Sequence, residues 1–91
     1  MTYNGNGEII ATSSDVGTSV TPSKSYFVKH FRWIKAAAAG DSCVIADDAG
    51  NVIFESQADG QYFIDVHPFY KFTNGIHITT LDSGTLYVYL A

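Results

Sequence analysis

Charge is what this sequence has least of. Asp, Glu, Lys and Arg make up 15% of its 91 residues, against about 25% in an ordinary soluble domain. A surface so short of charge must leave apolar area uncovered, and that favours an assembled protein over a solitary one. The net charge of −4 is spread thinly, so no basic stripe exists to neutralise phosphates, and nucleic-acid binding is excluded as the main activity. The same sign disfavours an anionic membrane surface. Cysteine is nearly missing: Cys43 stands alone, which excludes an internal disulfide or a zinc site of paired cysteines and suits a chain made in a reducing cytoplasm. A free cysteine packs as a small hydrophobe, and Cys43 is read as a buried strand residue. No segment approaches the roughly 18 uninterrupted apolar residues of a membrane span. The start, MTYNGNGEII, has neither the basic region nor the apolar core of a signal peptide. The expectation is a soluble protein that no signal of its own exports.

What the chain does have is aromatic and apolar surface. It carries six Tyr, six Phe and one Trp, and 46% of it is hydrophobic. Its length allows one domain, which buries only about 60 to 65% of the surface of its unfolded chain. Residues 1–25 differ from the rest, being dominated by Gly, Ser, Thr and Asn with short apolar islands at Ile9-Ile10, Val16 and Val20. Such a composition buries little, and the segment reads as an N-terminal arm, either flexible or laid as an added strand on a neighbouring subunit through EIIAT. Deleting residues 1–20 is expected to leave the fold intact and to weaken assembly.

Residues 26–91 read as one β domain. In YFVKHFRWIKAAAAGD, Phe27, Phe31, Ile34 and Ala38 fit a helical face, but the alternation and the crowd of aromatic and β-branched residues favour a strand over 26–35. SCVIADD and NVIFESQ flank the turn residues Asp48, Ala49, Gly50 and Asn51 as a hairpin. QYFIDV, interrupted at Pro68, continues as FYKF; Asn74-Gly75 turns into GIHITTL; Asp82-Ser83-Gly84 leads to the closing TLYVYL. Turn signals every 8 to 14 residues or so with no helix between them indicate an all-β fold, a small antiparallel β-sandwich or barrel. The expected core is Ile45, Val52, Phe54, Ile64, Ile78, Leu86, Val88 and Leu90, each on an apolar face of a strand reading. Tyr87 and Tyr89 then face away from it.

Clusters that could carry chemistry are sparse. His67, His77 and Asp65 could be imagined as a metal site, but they follow no recognised ligand spacing. DDAGN at 47–51 resembles the start of a calcium loop, yet the position of the distant glutamate is held by Ala58, and a hairpin turn is preferred. Cys43 with a histidine and an aspartate is a composition rather than a motif; no serine elbow or phosphate-cradling glycine loop occurs. No enzyme, cofactor or metal is therefore expected. Trp33, Phe63, Tyr87 and Tyr89 could form a sugar-stacking platform, but without Asn, Gln and Asp beside them a subunit interface is the better reading. Tyr87, Tyr89, Phe63, Ile9 and Ile10 are the interface candidates.

The segments AAAAGDSCVIADDAGNVIFES and NGIHITTLDSGTLYVYL resemble small virion proteins encoded by tailed bacteriophages. The resemblance covers residues 26–91 and excludes the arm, and it carries no defined site residues. It implies a structural component of a phage particle, similar in scale to the β-sandwich cement or decoration proteins that bind capsid surfaces as oligomers. A homo-oligomer binding the major capsid or another virion protein is the implied partnership, without nucleic acid or membrane, in a virion assembled from protein made in the host cytoplasm. A small head-tail or tail component, or a carbohydrate-binding module for host attachment, are the alternatives.

Overall fold

A computed structural model describes every residue except Gly5, Asn6 and Tyr62. The described residues form an all-β sandwich with eight strands among them: β1 (Thr2–Asn4), β2 (Glu8–Ala11), β3 (Ser25–Ile34), β4 (Ser42–Ala46), β5 (Val52–Gln57), β6 (Ile64–Asn74), β7 (His77–Leu81) and β8 (Thr85–Leu90). One antiparallel sheet has the order β1-β2-β8-β3-β6 and the other β5-β4-β7. YFVKHFRWI is a strand, as its β-branched and aromatic residues favour. Tyr26, Val28, Phe31 and Trp33 from β3 meet Ile45, Phe54 and Ile78 from the small sheet in a single core. Phe31 stacks on Phe54 with ring centroids 4.9 Å apart, and Trp33 is fully buried.

The N-terminal segment is not an arm. EIIA does add a strand to an open edge, but the edge belongs to its own chain: Glu8, Ile9, Ile10 and Ala11 pair with Tyr89, Val88, Tyr87 and Leu86 of β8. Ile9 and Ala11 are fully buried, so Ile9 belongs to the core rather than to a contact with a neighbour. Residues beyond β2 then run along β7, where Gly17 N–H donates to the Ile78 carbonyl (2.8 Å), Ile78 N–H to the Thr18 carbonyl (2.9 Å) and Val20 N–H to the Ile76 carbonyl (2.9 Å). Polar composition misled here because two well-placed apolar residues and a backbone ladder suffice to anchor a strand whose other face is open.

Two expected core residues lie outside, each for a reason of register. Val52 is 57% exposed. Between the pairs Ile45↔Phe54 and Ala46↔Val52 the ladder accommodates one extra residue, Ile53. This bulge takes Val52 off the inward face, and Ile53 packs against the core instead. Ile64 is 62% exposed because it pairs with Ile34 on the outer side of β3, while the inward Trp33 pairs with Asp65. Phe63, an interface candidate, is the residue that turns inward, meeting Trp33 edge-on at 5.6 Å. Ile45, Phe54, Ile78, Leu86, Val88 and Leu90 are buried as expected.

The turn Asp82-Ser83-Gly84 ties the two sheets together. The Trp33 indole N–H donates to the Ser83 carbonyl at 2.9 Å, Ala37 N–H to Ser83 Oγ at 2.8 Å, and Ser42 N–H to Asp82 Oδ2 at 2.8 Å. Gly84 has φ +78°, and a Cβ there would overlap the Ile34 carbonyl oxygen and lie 2.9 Å from Ala36 N. Only glycine fits that position.

Deleting residues 1–20 should therefore abolish cooperative unfolding, because it strips Ile9, Ala11 and Val20 from the core and leaves β8 and β7 unpaired on one side. Thermal denaturation followed by circular dichroism checks this; a cooperative transition in the truncated chain would show that the first two strands are accessory. Phe54→Ala should cost about 3 to 5 kcal/mol in chemical denaturation, the range for emptying a buried aromatic site.

Candidate interaction surface

Strand alternation gives the five-stranded sheet two faces, and among the described residues no second layer covers the outer one. The register lays its residues in rows across the strands. Ile10, Tyr87, Arg32 and Val66 form one row, and Glu8, Tyr89, His30 and Pro68 the next. Thr85, Ile34 and Ile64 form a third. Glu8 and Arg32 are the only carboxylate and guanidinium in these rows. The remainder is aromatic, aliphatic or hydroxyl-bearing.

The side chains are ordered by stacking. His30 lies on Tyr89 with centroids 4.4 Å apart, Tyr89 runs nearly parallel to Tyr87 at 6.3 Å, and the Arg32 guanidinium sits 5.5 Å from the Tyr87 ring centre. The His30–Tyr89 and Arg32–Tyr87 contacts join directly paired residues of β3 and β8, the arrangement in which cross-strand pairs stabilise a sheet, while Tyr87 and Tyr89 are neighbours along β8. They also occupy ring faces that a sugar would need. Phe27 and Phe72 meet edge-on at 5.1 Å farther along the sheet.

Of the five interface candidates, Tyr87, Tyr89 and Ile10 share this outer face, and Ile9 and Phe63 do not. Sequence reading missed Arg32, His30, Val66 and Ile64. The signal was present in HFRWI, where the alternation puts His30, Arg32 and Ile34 on the side opposite Phe31 and Trp33. It was obscured by Lys29, an extra residue at which the pairing of β3 with β8 shifts by one.

The histidines and acids considered for chemistry are scattered. His67 sits on β6 beside Phe54, whereas His77 is on β7 in the other sheet and shares a 2.7 Å hydrogen bond with Ser19 Oγ. Among the described residues no group of three His, Cys, Asp or Glu side chains could hold a metal ion. Asp47 builds the β4–β5 turn: its carboxylate accepts from Ala49 N–H (3.0 Å), Asn51 N–H (2.8 Å) and Asn51 Nδ2 (3.1 Å). The Asn51 backbone and side-chain donors, with Ala49 and Gly50 N–H, hold its carboxyl below the usual value. Asp15 is lowered chiefly by its hydrogen bond from the Met1 amine at 2.6 Å and by Thr12 N–H at 2.8 Å. Among the described residues no helix is long and apolar enough to cross a membrane.

Cys43 is fully buried, and burial, reinforced by Asp65 and Asp82, pushes its thiol from 9.0 up to about 12. A raised thiol pKa leaves folding unaffected below pH 9 and weakens it above, since the unfolded chain ionises first. Stability should thus fall between about pH 9 and pH 12, and Cys43→Ala should flatten that slope, leaving the contribution of Tyr26, whose hydroxyl burial also raises. Denaturant midpoints measured across alkaline pH check this. A native chain that reacts with a thiol reagent at pH 8 as fast as the unfolded chain would contradict the burial. No protein-family model, curated protein or solved structure matches this chain.

Proposed function

We propose that this protein is a structural component of a bacteriophage particle, most simply a capsid cement or decoration protein, that works through protein–protein contacts on the outer face of its five-stranded sheet. The observation that carries the contact reading is that face itself: an ordered ladder of His30, Tyr89, Tyr87 and Arg32 flanked by Ile10, Val66 and Ile34, outside the protein's own core. Tyr and Arg are the residues enriched where interfaces bind tightly, because each buries a large flat surface while its polar end reaches a partner at the rim. The assignment to a phage particle, in place of any other assembly, rests on the resemblance of residues 26–91 to small virion proteins. A head-tail or tail component would use the same surface.

The two sides of β8 give separable variants. Val88→Asp should prevent folding by burying an unpaired charge in the core. Tyr87→Ser combined with Tyr89→Ser should fold with a near-native spectrum and fail to cosediment with phage particles assembled without this protein, which the unaltered chain should decorate. If the double variant decorates the particles normally, the tyrosine face is not the contact. If the unaltered chain binds no particle but is retained on a glycan array, a carbohydrate-binding role replaces the proposal.

A further inference from the structure

The strand β6 is an edge of the large sheet and, at 11 residues, the longest among the described residues. Ile64, Val66, Tyr70 and Phe72, four of its side chains, are 52 to 69% exposed. A long apolar edge is a template for another strand. Its sequence, IDVHPFYKF from 64 to 72, is chemically self-complementary about Pro68. Laid antiparallel on a second copy with Pro68 on the two-fold axis, Ile64 faces Phe72, Val66 faces Tyr70, and Asp65 faces Lys71. All three pairings occur twice. Ile64, Val66 and Phe72 lie on the outer face with Pro68, and Asp65 and Lys71 on the opposite one, as their partners on β3 dictate. Among the described residues neither Asp65 nor Lys71 has an ion-pair partner within the chain.

We infer that β6 pairs with β6 of a second copy in this register, making a two-fold dimer with one continuous sheet through both subunits. The charge pattern selects the partner: each Asp65 meets a Lys71, and slipping the register by two residues puts charged side chains opposite apolar or uncharged ones. Pro68, which has no N–H, and the bulge where Phe69 and Tyr70 oppose Lys29, with Tyr70 at φ +51°, weaken pairing with an arbitrary extended strand. With Pro68 on the axis, only Pro68 meets its own symmetry mate, with no N–H on either side, and Tyr70 meets Val66; the backbone ladder is interrupted there and the side-chain pairs carry the specificity. An isologous contact of this kind closes after two subunits and does not propagate into fibres.

The inference rests on the reading of the protein as an assembly component, but it uses an edge distinct from the tyrosine ladder, so the two fail separately. Sedimentation of the full chain should give a dimer. Asp65→Lys and Lys71→Asp should each give a monomer with an unchanged circular dichroism spectrum, and the double exchange should restore the dimer, because the attraction is regained with its signs reversed. Pro68→Cys should cross-link to itself on mild oxidation while Val66→Cys does not, since the two copies of residue 66 lie about 13 Å apart along the paired strands. Cys43, buried with its raised thiol, stays silent in both. A monomeric unaltered chain, single charge variants that remain dimers, or equal cross-linking at 66 and 68 would each overturn the proposal. A dimer abolished by Tyr87→Ser with Tyr89→Ser and untouched by the β6 variants would place the subunit contact on the tyrosine face instead.

Discussion

The large sheet depends on β8 being an interior strand. Residues 85–90 are flanked by β2 on one side and β3 on the other, so β8 joins the N-terminal hairpin to the long strand β3. An interior strand must satisfy both edges of its backbone, and alternation commits Leu86, Val88 and Leu90 to the core. The segment around β2 must then be ordered, however polar its surroundings. The Asp82-Ser83-Gly84 turn fixes where β8 begins: Trp33, Ala37 and Ser42 all donate hydrogen bonds to it. A slip of one residue would break those bonds and turn the tyrosines into the core.

Bulges decide the remaining details. At Lys29 the pairing of β3 with both of its neighbours shifts, so Val28 and Phe31 both face inward although they are three residues apart. The same device at Ile53 puts Val52 into solvent. Each bulge preserves the core at one end of a strand while changing which side chains appear on the surface at the other. The outer face of the large sheet is therefore a product of the bulge in β3, which brings His30 and Arg32 into line with Tyr89 and Tyr87.

This explains how far the sequence could be read. Strand existence, the turns at Gly50, Gly75 and Gly84, and six of the eight core positions follow from alternation and turn chemistry, which are local. The helical alternative for 26–38 failed because Trp33 and Phe31 need a flat sheet surface on which to pack. Val52 and Ile64 were misplaced because a bulge, or the parity of an edge strand, is a property of a pair of strands and leaves no mark in either alone. Residues 1–11 were misread for a related reason. Composition measures how much apolar surface a segment has, whereas ordering depends on whether Ile9 and Ala11 meet a waiting groove and a free edge. For the interaction surface, the outward tyrosines were legible from period 2, but their companions His30 and Arg32 were visible only once the register was known.

The apolar surface left outside the core is not random. The rows that cross the large sheet end on β6 at Val66, Pro68 and Ile64, so the aromatic face runs without a break to the exposed edge. Two copies joined along β6 would extend each row into its symmetry mate, turning two narrow faces into one broad surface with a two-fold axis at its centre. Such a surface would bring two tyrosine ladders to one partner at once, and a second attachment made from an already bound subunit would proceed at a high effective concentration. On the proposed reading, a small domain with few charges would hold a large assembly through contacts that are individually modest. The scarcity of charge along the chain suits such a surface: ion pairs would add directionality but would cost desolvation over the area to be covered. In such a dimer, Asp65 and Lys71 would be enough to set the register.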